Sequence, residues 1–490
     1  MNKFFLILGA VSLFLFNSCA TKETVITGKI VGNVTKVAYS NPNEGICYAG
    51  FRDTVTVDEN GNFELRFQLK QPTFIFLWNS GKQCKLLLES GNKYHVLFDA
   101  ENVEISGANE EGHRLYATFP NPSFISMQAR SFENENSLTG IREKINEMKG
   151  EELRQFQKLL DDRKISASFF EIICRDRNCY YASLECSVSQ AKISHLIQNE
   201  KKPYILENGD NLIENLKNIY TQYPPNGADL LISSFWSEYA QDFIENYNLF
   251  LKEDFDIQSA RELYESGTWN TFIVNESKKH LTGKNLEVFW ATYIYQKSIQ
   301  LKFEKELISL FEQLEKDYPK SEYSKYIKPF IDKIVDYHDK IENSSENIVF
   351  VENYENINTL AEVVKSLKGK KIYVDVWASW CGPCKKEFDH SEALKKILKD
   401  KDVQMLYISI DMDGYDSKWK ELIKYYNLEG MHMRANLEFH GELAKIYNSE
   451  NTPESFSITI PWYILIDEDG NIIQKEAKRP SQIVSGEDLF

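Results

Sequence analysis

The stretch Tyr373-Val374-Asp375-Val376-Trp377-Ala378-Ser379-Trp380-Cys381-Gly382-Pro383-Cys384-Lys385-Lys386-Glu387 constrains the chain more than any other. A short β-branched and aromatic run passes through small residues into two cysteines separated by two residues. The spacing predicts a buried strand over Ile372–Val376, a turn, and a helix over Cys384–Leu398 that the C-x-x-C opens. Two cysteines so placed can close a small disulfide ring, but only the first faces outward past the helix end. The helix N-terminus carries about half a positive charge and free N–H groups, which favour thiolate over thiol. Cys381 is therefore the predicted nucleophile. Cys384, one turn further in, is the predicted resolving thiol, and Pro383 suits a first helical turn, where its missing N–H costs nothing. Asp375, six residues before Cys381 on the predicted central strand, points into a core. Burial would raise its pKa towards a range useful for a general base, and the alternative is a satisfied structural carboxylate.

Around this stretch strands and helices alternate. Strands are predicted at Ile348–Val351, Met405–Ile410 and Tyr463–Asp467, helices at Asn358–Leu367, Ser417–Tyr426 and Glu442–Tyr447, and a closing hairpin turns at Asp469-Gly470 into Ile472-Ile473. That order means an α/β sheet. Half of a zinc site is the competing reading of the cysteine pair, but it needs a second Cys or His pair at metal spacing, and His432 and His440 are too isolated to supply one. No metal and no cofactor is called for. A peroxidase would place a lone reactive Cys where this chain has the first of a pair.

With these residues in view, Trp377-Ala378-Ser379-Trp380-Cys381-Gly382-Pro383-Cys384 resembles the thioredoxin superfamily, specifically its TlpA-like and ResA-like envelope reductases, over about residues 345–490. The resemblance implies a thioredoxin fold, with Trp377, Trp380, Gly382 and Pro383 supporting the active pair and Asp375 as the family's buried acid. It also implies that Pro461 is the cis-proline facing the disulfide, so that the backbone of Ile460 is open to pair with an extended substrate. Trp462 stands where the family commonly has a small Thr, which implies a narrowed or reshaped substrate groove. The segment after Arg479-Pro480 is short, implying an abbreviated last helix.

Upstream the pattern is different. From Thr24 to about Gly107 residues alternate, as in Thr54–Val57 and Phe63–Phe67 around an Asn60-Gly61 turn, and again in Leu86–Leu88 and Tyr94–Phe98 around Ser90-Gly91. With Phe74–Leu77 as a buried strand, these predict a small β-sandwich. Between about Glu110 and Asn343 apolar residues recur at helical spacing, as in Leu307, Leu310, Phe311 and Leu314, predicting an all-α domain whose dense Tyr and Phe read as core packing, with a ligand groove as the alternative. The polar run Glu342–Asn347 marks its end. The expected organisation is a multidomain chain: a leader at 1–18, a β-sandwich domain at 19–110, a helical domain at 111–343 and an α/β domain at 344–490.

Met1-Asn2-Lys3 and the apolar run Phe4–Phe16 read as a secretory signal, its core of about 13 residues being too short to span a bilayer of about 30 Å. Asn17-Ser18-Cys19 resembles the lipobox of bacterial lipoproteins, with Phe16 departing from the usual Leu, which implies a lipid on Cys19. The order of lipobox, β-domain, helical domain and thioredoxin domain is similar to the thioredoxin-like lipoproteins of Bacteroidetes. The net charge of −16, −17 once the leader is removed, argues against a nucleic-acid partner. Five further cysteines are Cys47, Cys84, Cys174, Cys179 and Cys186. If Glu171–Ser187 is one helix, Cys179 and Cys186 stand about 10.5 Å apart along it and Cys174 is turned about 140° from Cys179, so neither pair can be bridged. A Cys47–Cys84 bond or buried thiols remain.

The expected activity is thiol-disulfide exchange through Cys381 and Cys384 at the cell envelope, on the periplasmic side, in the direction of reducing disulfides of exported proteins, apocytochrome c among the candidates. A membrane electron donor of the DsbD or CcdA type would recharge it. A disulfide oxidase or isomerase, and an envelope binding protein with accessory redox activity, are the alternatives.

Overall fold

The computed structural model describes residues 22–489 except 33, 42–49, 80, 100–101, 123, 199–203, 253–256, 301, 344, 368, 413 and 449–456. The predicted leader, Cys19 and Cys47 lie outside the described residues. The described chain falls into two compact units that divide between Ile331 and Asp332.

The first unit begins with eight strands: β1 (Glu23–Ile30), β2 (Lys36–Ser40), β3 (Arg52–Thr56), β4 (Asn62–Gln68), β5 (Thr73–Asn79), β6 (Lys82–Leu88), β7 (Lys93–Phe98) and β8 (Val103–Gly107). They form two four-stranded sheets, ordered β4-β1-β7-β8 and β3-β2-β5-β6. Ile26, Leu65 and Val96 of one sheet share a core with Val37, Ile75, Leu77 and Leu86 of the other. The Asp58–Gly61 turn is present, with Gly61 at φ 83° and no room for a Cβ, which would lie 2.4 Å from the Ile30 carbonyl oxygen. Yet the strands it joins do not pair with each other. β3 pairs with β2 and β4 with β1, so this turn, like the one at Ser90-Gly91, carries the chain from one sheet to the other.

Eleven helices follow: α1 (Glu110–Tyr116), α2 (Ile125–Ala129), α3 (Leu138–Asp161), α4 (Ala167–Gln198), α5 (Leu212–Gln222), α6 (Trp236–Asn246), α7 (Ile257–Glu265), α8 (Trp269–His280), α9 (Gly283–Ser298), α10 (Glu306–Asp317) and α11 (Ser324–Glu342). The expected boundary near residue 110 is internal to one unit. β5 and β6 are apolar on both faces, and Phe74, Phe76 and Leu87 form a second core with Tyr116, Phe156, Phe169 and Ile173 of the helices. Two buried cations beside it have partners: Lys85 Nζ donates to Tyr116 Oη at 2.6 Å and Ser234 Oγ at 2.9 Å and lies 3.5 Å from Asp176, and Arg177 on α4 grips Glu152 on α3 at 2.7 and 3.0 Å. Burial lowers the Lys85 pKa to about 8, against the pull of Asp176. Cys84, Cys174, Cys179 and Cys186 are free thiols, the last three on the single helix α4. The Cys47–Cys84 bond is therefore not formed; Cys84 sits in the apolar core between the sheets.

The second unit holds β9 (Ile348–Phe350), α12 (Leu360–Ser366), β10 (Lys371–Trp377), α13 (Gly382–Glu387), α14 (Ser391–Asp400), β11 (Val403–Ser409), α15 (Asp416–Tyr425), β12 (Gly430–Arg434), α16 (Leu437–Tyr447), β13 (Trp462–Ile466) and β14 (Ile472–Gln474). The sheet order is β14-β13-β10-β11-β12-β9; β10, β11, β12 and β9 are mutually parallel, β13 runs antiparallel to β10, and β14 runs antiparallel to β13. β10 is central and buried from Ile372 to Trp377, as expected for a strand covered on both faces. Tyr373 packs with Leu394 and Leu398 of α14, which puts the odd-numbered side chains of β10 on the α13–α14 side. The helix predicted over Cys384–Leu398 is broken by a 3₁₀ turn at Phe388–His390, and β12 was not predicted. Among the described residues after Arg479 the helical segments are the 3₁₀ turns Pro480–Gln482 and Gly486–Leu489.

Candidate active site

β10 ends at Trp377, whose carbonyl accepts from Ile410 N at 2.9 Å, tying the strand's exit to the end of β11. Cys381 N donates to Ala378 O at 3.0 Å and turns the chain into α13, with Cys381 as its N-cap. Cys381 and Cys384 are joined by a disulfide, S–S 2.00 Å and Cα–Cα 5.3 Å. Cys381 Sγ accepts from Cys384 N at 3.1 Å. In the reduced protein this N–H and the helix end favour a thiolate on Cys381. The two sulfurs are unequal in the expected sense: Cys381 keeps 4% of its surface exposed and Cys384 none.

Trp380, beside the disulfide, is 59% exposed, whereas Trp377 is fully buried against Phe388 at 5.1 Å. A Cβ on Gly382 would meet nothing within 4 Å, so this position is glycine neither for backbone angle nor for fit, and the surface next to Cys381 stays uncovered. Pro383 lies in the first turn of α13. The Ile460–Pro461 peptide is cis and leads into β13. Trp462 does not line an open groove: it is buried, its indole donates to Lys475 O at 2.7 Å, and its ring meets Tyr447 edge-on at 5.2 Å. The bulk that replaces a small residue here is absorbed by the core and braces β13 against the β14 flank.

Asp375 is buried, and its Oδ1 has no hydrogen-bond partner, which sets aside the reading of a satisfied structural carboxylate. Burial, reinforced by the charge of Glu387 on α13, pushes its pKa well above the usual carboxylate range. In register it sits between Tyr407 of β11 and Tyr463 of β13. Burial and the Asp375 charge raise the pKa of both phenols. Tyr407 stacks on His432 at 4.7 Å; burial lowers that imidazole's pKa to about 3, and its Nε2 lies 2.7 Å from Leu428 O, so His432 is a neutral core residue. Among the described residues no group of His, Cys, Asp and Glu is gathered to hold a metal ion, and no helix is long and apolar enough to cross a membrane.

Sequence reasoning missed two carboxylates. Glu387 binds Ser481 through N at 3.0 Å and Oγ at 3.1 Å, pinning the C-terminal segment to α13. Asp411, just beyond β11, is buried and accepts from Ser379 N at 2.8 Å, Ser379 Oγ at 2.7 Å and Ser409 Oγ at 2.7 Å. The available signal was its place at the C-terminal end of a parallel strand, where α/β sheets assemble their sites.

The Redoxin family matches residues 351–486. The thiol-disulfide oxidoreductase ResA of Bacillus thuringiensis subsp. konkukian is 33% identical over 112 residues, which are 23% of this chain and 57% of that protein. The thiol:disulfide interchange protein DsbD of Actinobacillus pleuropneumoniae is 31% identical over 81 residues, 16% of this chain and 14% of that one. A solved Bacteroides vulgatus protein described as a thiol-disulfide oxidoreductase is 34% identical, with 24% of this chain and 74% of that one covered and a TM-score of 0.20. The chain thus spans little more than half the length of the ResA proteins it matches. Residues 351–486 thus carry a Redoxin domain, similar in sequence to the thiol-disulfide oxidoreductase ResA.

Proposed function

We propose that this chain is a thiol-disulfide oxidoreductase that reduces disulfides in exported proteins. The observation that carries the reading is the Cys381–Cys384 disulfide at the start of α13, above a buried carboxyl with an unpartnered oxygen. In the reduced enzyme the Cys381 thiolate attacks one sulfur of a substrate disulfide and expels the other as a thiolate, leaving a mixed disulfide. Asp375, as its carboxylate, takes the proton from Cys384; the Cys384 thiolate attacks Cys381 Sγ, and the substrate leaves as a dithiol while Cys381–Cys384 re-forms. Two electrons pass to the substrate. A membrane donor of the DsbD or CcdA type returns them, and a leader with a lipid on Cys19 holds the enzyme at the envelope facing the periplasm. The lipobox-like Asn17-Ser18-Cys19 supports this placing, and the names of the ResA and DsbD relatives support the exchange chemistry.

Insulin-disulfide reduction tests the reading: the wild type turns over, and Cys381→Ser abolishes turnover. A wild type that neither reduces insulin nor carries a titratable Cys381–Cys384 disulfide sinks it. An equilibrium potential above about −180 mV assigns oxidation or isomerisation instead of reduction. In cells Cys384→Ser leaves the substrate bound to Cys381, where it can be identified.

A further inference from the structure

We propose that Asp411 is a positioning residue for the exchange reaction, its carboxylate fixing the loop that presents Cys381 and its charge holding the Cys381–Cys384 couple towards the disulfide form. The inference rests on the reading that Cys381 and Cys384 exchange disulfides.

The geometry is a clamp between two strand ends. Asp411 Oδ2 receives Ser379 N and Ser409 Oγ, and Oδ1 receives Ser379 Oγ, all at 2.7–2.8 Å. Ser409 Oγ in turn accepts from Asp411 N at 3.0 Å, so the carboxylate is held by its own strand as well. Asp411, Ser379 and Ser409 are all buried. Hydrogen bonds to an ionised group are stronger than neutral ones, and these hold the loop in addition to the bond from Ile410 N to Trp377 O. The clamp acts on Ser379, two residues before the nucleophile and at most about 7 Å of chain from it.

The second consequence is electrostatic. Among the described residues the charged groups around the clamp are Lys385 on α13, one turn from Cys381, and Arg434 of β12, whose guanidinium reaches the Asp411 carbonyl at 3.4 Å and is also paired with Asp416. Burial lowers the Lys385 pKa and the Asp411 charge pulls it back up, which places carboxylate and ammonium in each other's field. A carboxylate here opposes a Cys381 thiolate directly and offsets the Lys385 charge that would favour it; both effects destabilise the reduced form. Replacing the carboxylate by an amide removes both.

The test is the equilibrium of the full chain with glutathione, in which two glutathione thiols are oxidised to one glutathione disulfide as Cys381–Cys384 is reduced to two thiols. Insulin reduction and thermal unfolding are measured alongside. Asp411→Asn is expected to move the equilibrium about threefold or more towards the dithiol. Ser379→Ala keeps the charge and two of the three bonds to the carboxylate, losing the one from the Ser379 hydroxyl; it is expected to leave the equilibrium unchanged but to lower kcat/KM by about threefold or more, with a melting temperature within a few degrees of wild type. A folded Asp411→Asn with the wild-type equilibrium overturns the electrostatic role, and a Ser379→Ala with wild-type kcat/KM overturns the clamp. If Asp411→Asn does not fold, Ser379→Ala decides. A wild type that does not exchange with glutathione at all refutes the functional reading instead.

Discussion

Asp375 links the chemistry of this protein to its stability. Its pKa is raised in the folded state, so between the ordinary carboxylate range and that raised value the native chain binds more protons than the unfolded chain, and stability falls as pH rises. Asp375→Ala removes that dependence and the unpartnered buried oxygen. The second unit of the variant is expected to be about 1–3 kcal/mol more stable at pH 7, with the gain shrinking towards pH 4. Denaturant titrations at the two pH values check the sign. The same substitution takes away the acceptor for the Cys384 proton, so single-turnover release of substrate from the mixed disulfide slows by about 10²-fold or more. A residue whose removal stabilises the fold while slowing the reaction is kept for the reaction.

At the scale of elements, the sequence was informative where local pattern and burial agree. β10 reads as Ile-Tyr-Val-Asp-Val-Trp and is the central strand; Cys381-Gly382-Pro383-Cys384 reads as a helix start and is one. Legibility failed where neighbours far along the chain decide. Gly430-Met431-His432-Met433-Arg434 has no β-branched residue and is a strand only because β11 and β9 flank it. The partners of β3 and β4 could not be read from the turn between them, since each strand is claimed by a different sheet. No local pattern marks Glu387 or Asp411, since only the folded loop brings Ser481 and Ser379 to them. The α3–α4 pair carries a prediction of its own. Arg177 and Glu152 are both buried, so Glu152→Gln leaves a guanidinium short of its countercharge and is expected to destabilise the first unit by about 3–5 kcal/mol, whereas the double replacement Arg177→Met with Glu152→Met recovers much of the loss. Calorimetry of the single and double variants measures this, and insulin reduction near wild-type rates in the folded single variant shows that the effect is confined to the scaffold.

At the scale of the whole molecule, the cysteines among the described residues divide into a reactive couple and four buried or half-buried thiols. Cys84 and Cys179 have pKa values pushed up to about 12 by burial, burial also raises Cys186 well above the ordinary thiol value, and half-buried Cys174 is raised by burial as well. Unreduced native protein treated with a chromogenic thiol reagent is expected to react first at Cys174 and slowly at the other three, whereas denaturant exposes all four; rapid reaction of Cys84 in the native state refutes its burial. The reactive couple can thus be titrated in the native protein with little background from these four. The double-faced sheet of β5 and β6 has a different consequence, for how such a chain can be divided. Ile75, Leu77 and Leu86 serve one neighbour while Phe74, Phe76 and Leu87 serve another. A fragment cut after Gly107 would keep every strand and yet present an oily sheet surface to water, inviting self-association. The strands and helices of the first unit are therefore inseparable by truncation, and any shuffling of this redoxin domain among carriers has to move or leave them together.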